Sequence, residues 1–206
     1  MRSRETEIKI RLADVPATRK QLRKLGFVPI HRRALEDNVL YDTPDRKLRQ
    51  VRSLLRLRRY GARWFLTYKD TPDPDQHYKS RVELETEIKE AQVIRSILEV
   101  LGLHPVFRYQ KYRAKYEQCV PKRAGKAGGE VALDETPVGN FLELEGSRAW
   151  IDRVAGQLGY SRSDYSTSSY GALYREECRK QGLPPGDMLF AGPPGRNRRR
   201  VRKAQK

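Results

Sequence analysis

The stretch "ETEIKIRL", residues 5–12, alternates with a period of two, so a strand built from it puts Glu5, Glu7, Lys9 and Arg11 on one side and Ile8, Ile10 and Leu12 on the other. The pattern recurs along the chain. In "VRSLLRLRRY" Arg52, Arg56 and Arg58 share a parity that Leu55 and Leu57 lack, and in "RWFLTYK" Thr67 and Lys69 oppose Trp64, Leu66 and Tyr68. "SRVELETEI" sets Arg81, Glu83, Glu85 and Glu87 against Val82, Leu84 and Ile88, and "YQKYRAKYE" sets Lys111, Arg113 and Lys115 against Tyr112, Ala114 and Tyr116. "EVALDE" carries Asp134, and "NFLELEG" sets Glu143 and Glu145 against Leu142 and Leu144.

With "ALEDNVLYD" added, about eight strands are predicted, mostly separated by turn sequences such as "TPDR", "YGAR", "TPDPD" and "TPVGN". Eight strands suffice to close a barrel. Amphipathic helices are predicted over residues 15–25 with Val15, Leu22 and Leu25 inward, 91–101 with Ile94, Ile97, Leu98 and Leu101, and 147–158 with Trp150, Ile151, Val154 and Leu158. A last helix is predicted near 169–180. A solvent-facing sheet surface normally mixes Thr, Ser, Gln and Lys, whereas these faces are dominated by long ions, and the helices need an apolar surface to cover. The expected fold is therefore α+β: an eight-stranded antiparallel closed barrel with a charged lumen and helices packed outside.

A chain of 206 residues fits one core with appendages, and a net charge of +17 with a pI near 10.1 points to anionic partners. From Arg196 to Lys206 the chain carries seven positive charges and no acid, which leaves +10 for the rest. Behind the Pro- and Gly-rich "LPPGDMLFAGPPG", residues 183–206 read as a loosely attached tail, separate from a folded unit over 1–182 and suited at most to weak, non-specific nucleic-acid contact. Cys119 and Cys178 have no metal-ligand spacing and read as buried free thiols, and His31, His77 and His104 stand alone. With no apolar leader and no membrane-length run, a cytoplasmic chain without membrane contact is expected.

A lumen lined by both signs of charge is either self-neutralising or built for a guest, and burying so many ions without one is costly. Clustered acids bind hard divalent cations, and clustered bases bind phosphate oxygens. Together they describe a metal-bound polyphosphate.

These residues resemble the CYTH superfamily of triphosphate tunnel metalloenzymes, which groups class IV adenylyl cyclases with thiamine and inorganic triphosphatases. "ETEIKI" fits the E-x-E-x-K signature, and "LRLRR", "LTYK", "SRVELE", "KYRAKY", "LDETPVGNFLELE" and "SSYGALY" follow in the family's order and approximate spacing, across residues 3–176. The resemblance implies a tunnel that binds a triphosphate-containing small molecule such as tripolyphosphate, thiamine triphosphate or ATP, with Mg2+ or Mn2+, in a monomer or homodimer. It implies Glu5, Glu7, Asp134, Glu143 and Glu145 as metal ligands, and Lys9, Arg56, Arg58, Lys69, Arg81, Lys111 and Arg113 as phosphate contacts. Lys9 and Glu85 are the implied catalytic residues. The expected activity is a metal-dependent triphosphatase, since hydrolysis needs only the grip and a water and no adenine-reading motif is visible. A class IV adenylyl cyclase is the alternative, and a non-catalytic polyphosphate or nucleic-acid binder is a second.

Overall fold

The computed structural model describes residues 2–118 and 128–191, the Arg2 side chain excepted. Eight strands form: β1 (Arg2–Leu12), β2 (Phe27–Asp42), β3 (Leu54–Tyr60), β4 (Arg63–Lys69), β5 (Lys79–Ile88), β6 (His104–Gln118), β7 (Glu130–Thr136) and β8 (Gly139–Glu145). Every neighbouring pair is antiparallel, and the order β1-β5-β4-β3-β2-β6-β7-β8 closes on itself. β1 joins the two ends: its first half pairs with β5 as far as Glu7↔Lys79, and its second half pairs with β8 from Glu7↔Glu145 onward. Tight turns follow the sequence signals. Gly61 supplies the left-handed residue, at φ 60°, that the short β3–β4 loop needs.

The polarity of the barrel is inverted relative to a filled one, as the alternation predicted. Ile8, Ile10, Val131, Leu133, Leu142 and Leu144 point outward and are buried beneath Leu22 of α1 (Val15–Lys24) and Trp150, Ile151 and Val154 of α4 (Arg148–Gln157). Both helices start where the sequence caps them. Asp14 accepts the Ala17 N–H at 2.9 Å, and Ser147 accepts the Trp150 N–H at 3.3 Å. A second outer cluster packs Tyr41, Leu57, Trp64 and Leu66 under Ile94 and Leu98 of α3 (Ala91–Val100). Each fully buried aliphatic side chain contributes about 1.5–3 kcal/mol, so the helices stabilise the barrel from outside. No helix among the described residues is long and apolar enough to cross a membrane.

Four expectations are corrected. Ile97 and Leu101, predicted inward, are 47 % and 67 % exposed, because α3 touches the barrel along the narrow row of Ile94 and Leu98. Arg52 does not share the ionic face of β3: it precedes the strand, at φ 59°, beyond the one-turn helix α2 (Lys47–Gln50) that follows the "TPDR" turn. Arg11, at the end of β1, leaves the ionic row, donates to the Val138 carbonyl and is exposed. Finally, residues 183–191 are not loosely attached: the Met188 N–H donates to Arg108 O, Met188 O accepts from Gln110, and the Met188 side chain is fully buried. Counting Pro and Gly missed that "DMLF" supplies an apolar anchor. Residues 192–206, and Cys119 with its expected burial, lie outside the described residues; Cys178 is buried and free.

Both C-terminal segments mend open strand edges. Where β5 stops short of Lys9, Ser166 bonds the Lys9 backbone in both directions, at 2.9 and 2.8 Å. Where β7 stops short of Tyr109, Met188 pairs with β6. Between these two attachments hangs α5 (Tyr170–Lys180), whose first residue enters the barrel end.

Candidate active site

The period of two, carried round a closed sheet, converges the ionic faces on a cavity of about 460 Å³. Register then decides which ions meet. Lys9 lies opposite Glu143, Glu5 opposite Arg81, Lys69 opposite Glu83, Glu36 opposite Lys111, and Arg113 opposite Asp134. Among the described residues, and apart from the exposed Arg63–Glu87 pair at its mouth, the lumen holds nine carboxylates, Glu5, Glu7, Glu36, Glu83, Glu85, Glu130, Asp134, Glu143 and Glu145, and nine cations, Lys9, Arg56, Arg58, Lys69, Lys79, Arg81, Lys111, Arg113 and Lys115.

The charges fall into groups. At the α5 end, Asp134 accepts from Lys111 at 2.9 Å, from Arg113 Nε at 2.7 Å and from the Tyr170 hydroxyl at 2.6 Å, while Arg113 also reaches Glu143. Lys9 Nζ stands 3.1 Å from Glu143 and 3.2 Å from Glu7. Burial opposes the charge on Lys9, yet Glu143 and Glu7 hold its ammonium above the ordinary lysine value. Burial likewise opposes the charge on Glu7, but Lys9 and Lys79 keep that carboxylate well below its usual range. Glu36, fully buried, is paired with Arg58 at 3.1 Å and Lys111 at 3.5 Å; burial opposes its charge, but Lys111 and Arg113 lead the cations that keep it ionised.

Elsewhere in the lumen the balance tips. Glu5 receives the Lys69 ammonium at 2.5 Å, but burial, with Glu7 and Glu83 adding, pushes its carboxyl up to about 8. Burial and Glu130 push Glu145 up to about 7. Glu83, hydrogen-bonded to Glu5 and Lys69, is drawn down to about 2 despite its own burial, so the two carboxyl groups titrate as a pair. These acids hold more negative charge than the neighbouring cations neutralise.

All seven expected phosphate contacts, Lys9, Arg56, Arg58, Lys69, Arg81, Lys111 and Arg113, face the lumen and are 9 % exposed or less. Of the expected metal ligands, Glu5, Glu7 and Glu145 belong together, since Glu7 sits across from Glu145 in the β1–β8 ladder. Asp134 and Glu143 are ion-paired with Arg113, Lys111 and Lys9, as Glu5 is with Lys69 and Glu7 with Lys9 and Lys79. Glu85 accepts from Arg58 at 3.0 Å and from the Thr67 hydroxyl at 2.6 Å. Sequence reasoning missed Glu36, Lys79, Lys115, Glu130 and Tyr170 as members of the site. For Lys115 the signal was its shared parity with Lys111 and Arg113, and for Glu36 its place two residues before Asn38 on an alternating strand; no strand parity could have announced Tyr170, which arrives on a helix.

The CYTH domain profile matches residues 3–158, covering seven of the eight lumen-forming strands completely and β1 from Ser3 onward. The chain belongs to the CYTH domain family. A protein of Methanocaldococcus jannaschii named "Putative adenylate cyclase" is 34 % identical to this CYTH chain over 144 residues, 69 % of this chain and 77 % of the relative. Among solved structures, that of a Vibrio parahaemolyticus protein, also named a putative adenylate cyclase, superposes with a TM-score of 0.69 at 22 % identity over 82 % of this chain and 96 % of its own. HpAC1 from Hippeastrum, described as a putative adenylyl cyclase with a dominant triphosphatase activity, superposes with a TM-score of 0.57 at 22 % identity over 88 % and 97 % of the two chains. CYTH domains form a metalloenzyme family that binds triphosphate substrates, and its members are triphosphatases or proteins named adenylate cyclases.

The donor set fits a hard divalent cation by chemistry, since Glu5, Glu7 and Glu145 offer only carboxylate oxygens, and burial raises the proton affinity of Glu5 and Glu145 against which a cation would compete. Among the described residues no three carboxylates already converge as a cage, so binding requires side-chain movement.

Proposed function

We propose that this CYTH chain is a metal-dependent triphosphatase that hydrolyses the terminal phosphoanhydride of a triphosphate inside the barrel. The observation that carries the reading is that one lumen brings the carboxyl groups of Glu5, Glu7 and Glu145 together with cations aimed inward from β1, β3, β4, β5 and β6. Phosphoryl transfer asks the protein mainly for position and for positive charge where negative charge develops. Lys9, Arg56, Arg58, Lys111 and Arg113 supply that charge on strands, and Asp134, Glu36 and Glu85 aim the last four. Glu5, Glu7 and Glu145 would hold a Mg2+ or Mn2+, which would supply positive charge to a triphosphate. Lys9 stands between the two functions, tied to Glu7 on one side and Glu143 on the other. A triphosphate entering the lumen replaces these carboxylates as the partner of the cations.

The activity described for HpAC1 supports hydrolysis on this fold, whereas the name of the 34 % identical archaeal relative favours cyclisation of ATP. Product analysis separates them. With Mg2+ or Mn2+ and ATP, thiamine triphosphate or tripolyphosphate, hydrolysis releases orthophosphate from all that are accepted, and cyclisation yields cyclic AMP and pyrophosphate from ATP alone. Orthophosphate is the expected product; cyclic AMP as the main product overturns the hydrolase reading.

A further inference from the structure

Eight of the nine lumen cations have a carboxylate within 4 Å, from Lys9 with Glu143 to Lys115 with Glu130. Arg81 does not. It is 5 % exposed, and its Nε has no hydrogen-bond partner among the described residues. Nε is likewise unpartnered in Arg56 and Arg58, but those two have carboxylates within 4 Å, so Arg81 is the lumen cation, among the described residues, that an anion can meet without displacing an acid. Arg81 lies at a seam: with Lys79 and Tyr170 it lines both the lumen and a second cavity, of about 610 Å³, that opens beneath α5.

The second cavity differs from the lumen in its apolar and aromatic lining, with Leu40, Tyr41, Val106, Phe107 and Tyr174, and in its cations. Arg46, Arg49, Arg52 and Arg175 line it, and none of them has a carboxylate within 4 Å among the described residues. The acids of the same loop are occupied: Asp45 pairs with Lys47, and Asp42, 3 % exposed, accepts the backbone N–H groups of Thr43, Leu48 and Arg49. Arg46 and Arg52 hold left-handed backbone, φ 61° and 59°, that non-glycine residues rarely adopt, and such conformations cluster where a loop is shaped for a ligand. Burial, with Arg49 beside it, lowers the proton affinity of Arg175, as expected for like charges gathered without a counter-ion.

We infer that this arginine vestibule continues the phosphate path out of the barrel, so that the chain accepts linear polyphosphates longer than three units, held at Arg81 and by the four rim guanidinium groups. The inference rests on the reading of the lumen as a triphosphate site. Cations matched by acids suit a guest that must displace partners, whereas unmatched guanidinium groups suit added phosphates, each able to take bidentate bonds. The same rim repels a cationic head such as that of thiamine triphosphate, and a neutral nucleoside does not compensate its charge.

The test is the dependence of binding and turnover on chain length at physiological salt. Tripolyphosphate, tetrapolyphosphate, long-chain polyphosphate and ATP are compared by calorimetry and by orthophosphate release, for the wild type and for Arg49→Glu and Arg175→Glu, both exposed positions that folding tolerates. Long-chain polyphosphate is expected to bind about tenfold or more tighter than tripolyphosphate, the equivalent of one added charge-assisted contact. In the variants that preference disappears while the tripolyphosphate constant stays within about twofold, because exposed charges are screened at this salt. Equal binding of short and long chains, or equal weakening of both in the variants, overturns the vestibule assignment alone. A response of ATP but not of chain length to the arginine changes gives the cavity to a nucleoside instead and also overturns it. Failure of every phosphate compound to bind removes the lumen reading and this one together.

Discussion

Asp134 accepts from Lys111, from two nitrogens of Arg113 and from the Tyr170 hydroxyl, so one carboxylate satisfies three buried side chains. Replacing it with Asn leaves two buried cations short of a counter-charge, and Asp134→Asn should cost about 3–5 kcal/mol in urea unfolding even though Asn is the same size. Lys9→Ala should cost about 10²-fold in kcat/KM, comparable to removing one preorganised charge-stabilising donor, and wild-type kinetics would take Lys9 out of the site. Glu5 sets a pH dependence of the opposite sign to the usual carboxylate. Its folded pKa, raised from 4.5 to about 8, means that the folded chain binds the proton more tightly than the unfolded one, so stability is fullest below about 4.5 and declines as pH rises toward 8. In metal-free protein the Tm should fall across that window, and Glu5→Gln should flatten the slope. At this scale the sequence was readable wherever parity applied, because side chains two apart on a strand must share a face. It was unreadable for partners brought by tertiary contact: nothing near Tyr170 announces that its hydroxyl reaches Asp134, thirty-six positions earlier.

The elements divide along the same line. Strands were legible because each carries ions on one face and Ile, Leu or aromatic groups on the other, and α1 and α4 were legible because their apolar stripes match the outer faces of β1, β7 and β8. β2 runs from Phe27, well before the alternating "ALEDNVLYD", because its irregular register with β6 at Pro29 and His31 hides the period of two. The single turn of α2 has no stripe to show; it forms because Asp42 gathers the N–H groups of Leu48 and Arg49 at 2.9 and 3.0 Å. The Met188 anchor is likewise a tertiary fact. Since its side chain is wholly buried among Tyr109, Phe141 and Tyr170, Met188→Ala should lower stability by about 2–5 kcal/mol and loosen α5 first, read as faster hydrogen exchange at Tyr170–Tyr174 than at β1.

For the molecule as a whole, acids and cations of the lumen are equal in number among the described residues, so the lumen adds almost nothing to the net charge of +17 carried by the full chain. On the proposed function, that net charge attracts an anionic substrate, which is then gripped by groups that are locally neutralised until it arrives. On this account kcat/KM for a triphosphate should fall as salt rises from low to physiological ionic strength, with kcat little changed, because screening weakens the approach and leaves short buried contacts intact. A kcat that falls in parallel would instead place the salt-sensitive charges in the chemical step. The suspension of α5 between Ser166 and Met188 has a further outcome in folding. Both attachment points lie C-terminal to all eight strands, so a barrel closed before they dock has Asp134 without the Tyr170 hydroxyl and the edges of Lys9 and Tyr109 bare. In such a barrel, docking of the segment that roofs the pocket would be the step that completes it.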